Sequence, residues 1–172
     1  MTKLKHLILM VCIAGCFAAC SKDKPDSRCS GEIPKYEVTA AAMEQFKLDT
    51  TAIRKFVTDN KIADVKKDEN GVFYQILAPG TGSHHFTVAS NISIDYEGKL
   101  LNGNVFDSSK GSYVTFQLCE LIPGWNIGVP KIQKGGKVRL LIPSYFCYGP
   151  RAVGTVPPNA VLDFTISLNN VN

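Results

Sequence analysis

The chain has 172 residues, 45% of them hydrophobic and 20% charged, which suits one globular domain with an appendage and excludes a low-complexity or repeat protein. Its formal net charge is +4, but Lys3 and Lys5 belong to the extreme N-terminal stretch, and from Gly71 onward seven Lys/Arg face five Asp/Glu. That balance is too mild to attract nucleic acid, so no nucleic-acid partner is expected.

The first twenty residues, MTKLKHLILMVCIAGCFAAC, run from a basic start into an apolar stretch that is short for a membrane span and punctuated by Cys, Gly and Ala. They read as an export signal. Small residues directly before a cysteine resemble the lipobox of bacterial lipoproteins, at IAGC (Cys16) and at FAAC (Cys20). Cys20 is preferred because polar SKDKPDS follows it at once, and the resemblance implies cleavage there and acylation of Cys20. A plain secretory peptide cut near Ala19 is the alternative. Ser21 rather than Asp after the cysteine points, by enteric sorting habits, to the outer membrane facing the periplasm. Cys29, Cys119 and Cys147 then remain as thiols in an oxidising compartment, and three cysteines allow one bridge whose pairing stays open.

Residues 21–38 mix charges with Pro25, Gly31 and Pro34, which predicts an extended, solvated tether holding the domain roughly 20 to 25 Å from its anchor. Residues 39–69 form a helical extension. Met43, Phe46, Ile53, Phe56 and Val57 fall near one helical stripe over 39–60, with a break expected near Asp49, a competent N-cap. The stripe either packs on the domain or makes a homodimer contact, and the sequence leaves both open.

After VKKDEN at 65–70 the period switches to two, opening a domain over 70–172. GVFYQILAPG alternates, and Ile92, Ile94 and Tyr96 share one face of NISIDYEGKL. Asn102-Gly103 predicts a tight hairpin turn with both central residues at positive φ. GGKVRLLIP gives a further strand, and Leu162, Phe164, Ile166 and Leu168 share one face of the last. The expected class is α+β: an antiparallel sheet with one apolar layer, covered by a short helix that begins at Pro123 and buries Trp125, Ile127 and Val129.

Hydrolytic machinery is not legible. The chain has no GxSxG, HExxH or phosphate-binding glycine loop. His84 and His85 diverge in any extended conformation, no metal or other cofactor is expected, and Asp107 has no second carboxylate close in sequence, although Glu120 is within reach of a fold. What accumulates instead is aromatic and aliphatic surface with a few polar tips. By pattern alone Tyr96, Phe106 and Phe164 are ordinary core rings, and a lone tryptophan is more often packing than a binding floor.

IDYEGKLLNGNVFDSS, LIPGWNIGV, LLIPSYFCYG and TVPPNAVLDFTISL, in this order and spacing over about residues 71–172, resemble the FKBP-type peptidyl-prolyl cis-trans isomerases. The resemblance implies a twisted antiparallel sheet wrapped around one short helix. It also implies a pocket lined by Tyr96, Phe106, Asp107, Leu121, Ile122, Trp125, Tyr148, Val156 and Phe164. Trp125 would be its floor, the Ile122 amide and Tyr148 hydroxyl would bind ligand carbonyls, and Asp107 would supply a polar wall. Val114, in YVTF, takes an aromatic position of the family, which shrinks one wall and bears on substrate preference and macrolide affinity. Between Gly149 and Pro157 the rim is one residue shorter than in the best known human member.

The expected activity is prolyl isomerisation in exported, proline-containing polypeptides, with a lipid anchor to the membrane. A non-catalytic chaperone or adhesion module using the same pocket is the alternative. Thiol redox chemistry or hydrolysis by Cys119 or Cys147 with a histidine has only composition behind it.

Overall fold

The computed structural model describes residues 29–172. The expected signal segment, Cys20 as the expected lipidation site and the start of the expected tether lie outside them. Seven strands form one antiparallel sheet: β1 (Lys66–Lys67), β2 (Phe73–Ala78), β3 (Asn91–Leu100), β4 (Val105–Ser108), β5 (Val114–Gln117), β6 (Lys137–Ile142) and β7 (Leu162–Val171). The order is β1-β2-β6-β7-β3-β4, and β5 pairs with the first half of β3. Helix α1 (Met43–Asp59) precedes the sheet, and α2 (Pro123–Gly128) lies between β5 and β6.

The long strands carry the sheet because their period-two patterns agree across the register. Ile92, Ile94 and Tyr96 of β3, Val138, Leu140 and Ile142 of β6, and Leu162, Phe164, Ile166 and Leu168 of β7 are all buried in one cluster. Pro123 starts α2 at a position where its missing N–H costs nothing, and Trp125, Ile127 and Val129 close the cluster from above. Gly128 permits the close approach: a Cβ there would lie 2.4 Å from Leu140 Cδ1.

Three local expectations are corrected. The helix does not break at Asp49; it runs through it, and Asp49 is buried rather than capping a second segment. The reason is a partner far along the chain, Ser144, whose N–H and hydroxyl both reach the carboxylate. The hairpin between β3 and β4 is not a two-residue loop. Gly103 has φ +90, whereas Asn102 is not among the positive-φ residues and instead accepts the Asn104 N–H on its side-chain oxygen. The turn closes by Gly103 N–H to Leu100 C=O at 2.9 Å and Leu100 N–H to Asn104 C=O at 2.9 Å.

Third, the part of the tether within the described residues is extended but docked. Cys29 is bridged to Cys119, Glu32 pairs with Thr87, and Ile33, Tyr36 and Val38 pack against the main cluster. The apolar stripe of α1 faces its own domain. Ile53 joins Phe73, Leu141 and Val161 in a second cluster on the other side of the sheet, with Phe56 and Val57 at its margin. On that side Arg139 grips Asp163 in a forked pair, Nε to Oδ1 at 2.9 Å and Nη2 to Oδ2 at 2.6 Å.

Candidate active site

The segment that the lone tryptophan ends is built in steps. After β5 a short 3-10 turn, Leu118–Glu120, is closed by a capping box between Gln117 and Glu120. Glu120 is thus engaged by its own turn and is no partner for Asp107. Ile122, fully buried and extended at φ −59, ψ 147 as a residue before proline must be, hands the chain to α2. No hydrogen bond engages the Ile122 N–H among the described residues.

Trp125 is wholly buried. Tyr96 meets it edge-on at 5.3 Å and Phe164 at 5.2 Å, and Phe106 meets Phe164 at 5.5 Å. Edge-to-face contacts of this spacing match the quadrupole preference of aromatic rings and hold each ring in one orientation. Gly98 makes the arrangement possible from β3, since a Cβ there would lie 2.6 Å from Phe164 and 2.7 Å from Phe106. The Trp125 indole N–H has no acceptor among the described residues, which is uncommon for a buried donor.

The polar tips gather on one side of these rings. The Tyr96 hydroxyl donates to Asp107 Oδ2 at 2.8 Å. Burial, then the hydrogen bond and charge of Asp107, push the Tyr96 hydroxyl well above its ordinary range. Tyr148 is likewise pushed up, by burial first and also by the charge of Asp107. Asp107 therefore acts electrostatically on both tyrosines. Tyr148 sits on the turn after Ser144–Phe146, buried at 7% exposure, and Gly149 beyond it takes φ +57.

Leu121 and Val156 are buried, while Phe106, Asp107 and Val114 are half-buried. Val156 lies on the shortened rim, in a two-way bridge with Val153 across Gly154. Val114 faces the main cluster from β5. The apolar residues expected in the pocket thus share one cluster, with Asp107 joined to it through Tyr96. Phe116 was not read from the sequence. It meets Tyr96 edge-on at 6.4 Å, and its position two residues after Val114, on the same face of β5, was the available signal.

Thiol chemistry finds no support in the placement of the cysteines. Cys29 and Cys119 form the disulfide, which resolves the open pairing. Cys147 is free but buried, and burial first, then the charge of Asp49, pushes its thiol up. His84 contacts Ser90 and His85 pairs with Glu32, so the two rings part as expected.

A sheet folded on one short helix, with an indole, three further rings and a carboxylate–phenol pair at its margin, is the arrangement that the resemblance to the prolyl-isomerase class implies. The model of the FKBP-type peptidyl-prolyl cis-trans isomerase family matches residues 82–169, and the chain belongs to that family. It is 38% identical over 140 residues to a probable FKBP-type peptidyl-prolyl cis-trans isomerase FkpA of Neisseria meningitidis serogroup B, covering 77% of this chain and 51% of that one. FK506-binding protein 1 of Candida glabrata is 41% identical over 109 residues, 60% of this chain and 96% of that one. The crystal structure of FkpA from Escherichia coli matches with a TM-score of 0.64 and 31% identity, over 77% of this chain and 65% of that one. The chain spans about half the length of the FkpA relatives it matches.

Proposed function

We propose that the chain is a peptidyl-prolyl cis-trans isomerase acting on proline-containing segments of exported polypeptides. The observation that carries this reading is the aromatic group on Trp125, with the Tyr96–Asp107 pair and Tyr148 beside it. The reaction breaks no covalent bond, so the site needs no nucleophile. Rotation about an X-Pro bond faces a barrier of about 18 to 20 kcal/mol, set by amide resonance. The planar amide is more charge-separated than the twisted one, so an apolar niche disfavours the flat ground state relative to the transition state. Phe106, Trp125, Val156 and Phe164 supply that environment. The Ile122 N–H and the Tyr148 hydroxyl hold flanking carbonyls while the prolyl side turns, and Asp107 supplies a polar wall. A thousandfold acceleration requires only about 4 kcal/mol. Val114 leaves one wall lower, which bears on the residue preferred before proline and on macrolide affinity.

The test is a protease-free assay on X-Pro peptides with the full chain. Acceleration above the spontaneous rate, which relaxes over roughly tens to hundreds of seconds, is the expected result. Peptide relaxation at that rate alongside suppressed aggregation would establish a chaperone instead. Because both site tyrosines are pushed above the ordinary value near 10, their hydroxyls keep their protons, and the rate is expected to show no tyrosine limb up to about pH 10. An apparent pKa of the rate at or below that value, traced to Tyr148 by substitution, contradicts the role given to it.

We also propose export and a lipid anchor on Cys20. The Cys29–Cys119 bridge supports export, since structural disulfides persist in oxidising compartments. Mass spectrometry of the mature N-terminus decides the anchor, and an unmodified Cys20 refutes it.

A further inference from the structure

Asp49 lies midway along α1, outside the residues that match the family model, and is 3% exposed. Its donors are neutral: Ser144 N–H at 2.8 Å and Ser144 Oγ at 2.6 Å on Oδ2, and Gln45 Nε2 at 2.7 Å on Oδ1. A buried carboxylate without a cation is costly, and it persists only where several hydrogen bonds satisfy it. Here two of them fix one residue from two sides.

That residue is the hub of the Tyr148 turn. The Ser144 carbonyl accepts the Cys147 N–H at 2.9 Å and the Gly149 N–H at 2.9 Å, the two amides that flank Tyr148. The next residues of the turn are held by the same N-terminal segment. The Tyr145 hydroxyl donates to Glu37 C=O at 3.1 Å, and Phe146 is met edge-on by Phe46 at 6.0 Å and Tyr36 at 6.3 Å. Tyr36 in turn accepts a hydrogen bond from Asn126 of α2 at 3.0 Å, one residue from Trp125.

We propose that Asp49 is a positioning residue for prolyl isomerisation: through Ser144 it fixes the turn that presents Tyr148, so that the N-terminal helix sets the geometry of the site. The proposal rests on the isomerase reading above. It makes α1 a working part of the site rather than an appendage.

The experiment measures kcat/KM of the full chain at a temperature where circular dichroism shows every variant folded. Asp49→Ala is expected to lower it about fivefold, and Asp49→Asn, which keeps an acceptor oxygen for Ser144, to recover it to within about twofold. In a Tyr148→Phe background Asp49→Ala is expected to cost less than about twofold more, because residues acting through one another are not additive. If Asp49→Ala does not fold, Ser144→Ala carries the same test, with a loss of about two- to threefold that also vanishes beside Tyr148→Phe. A folded Asp49→Ala with undiminished kcat/KM, or losses that multiply with Tyr148→Phe, overturns the proposal while leaving the function intact. A parent chain that does not accelerate isomerisation overturns the function and the proposal together.

Discussion

Asp107→Val is expected to lower kcat/KM about tenfold, equivalent to about 1.4 kcal/mol of transition-state stabilisation. Two effects combine. The substitution removes the polar wall proposed for the site, and it leaves the Tyr96 hydroxyl, which donates to Asp107 at 2.8 Å, without that acceptor. Tyr96 is 3% exposed and stands edge-on to Trp125, so an unanchored phenol lets one wall of the niche loosen. Leaving a buried donor unsatisfied costs about 1 to 3 kcal/mol of stability. Asp107→Asn separates the effects, because its carbonyl oxygen still accepts from Tyr96: stability returns, and any remaining loss of rate belongs to the charge. Denaturant midpoints and the protease-free assay measure the two independently. Full activity in a folded Asp107→Val chain would remove Asp107 from the site.

Reduction of the Cys29–Cys119 bridge is expected to lower stability by about 3 to 5 kcal/mol, since a cross-link 90 residues apart in sequence restrains most of the unfolded chain. For a chain of this size that corresponds to a fall in Tm of about 10 °C. The folded state also loses a tie. Cys119 lies in the 3-10 turn that leads to Leu121 and Ile122, so freeing Cys29 releases the extended N-terminal stretch from the neighbourhood of the site. Thermal melts of the reduced chain and of a Cys29→Ser, Cys119→Ser double variant are expected to agree with each other, both below the melt of the oxidised chain. Cys147 is buried and unpaired in either state, so it does not complicate the comparison. A Tm insensitive to reductant would show that the bridge adds nothing to the fold.

The strands and the short helix were legible because their signals are local. In β3 and β7 every second side chain enters the core, and Pro123 marks the start of α2 by its own covalent geometry. The ring-bearing motifs were legible as a family resemblance; without that register, Tyr96 and Phe164 would pass for core residues, which by burial they also are. What was not legible depends on partners distant in sequence. Asp49 looks like an N-cap by residue type, and only Ser144, 95 positions later, makes it a buried acceptor. Three cysteines carry no pairing information until the fold brings Cys29 within 5.1 Å of Cys119 between Cα atoms. The docking of Ile33, Tyr36 and Val38 was masked by neighbouring Pro, Gly and charged residues, whose composition is that of a solvated linker. The second cluster, under α1, was hidden because Leu141 and Phe73 fall on the faces that strict alternation assigns to solvent.

The chain contains a single tryptophan, and it is Trp125. Shielded from water and ringed by Tyr96 and Phe164, this indole should emit at short wavelength, and under the proposed function its intensity is expected to change when an X-Pro peptide fills the site. Occupancy can therefore be followed by intrinsic fluorescence, with no label, separately from turnover.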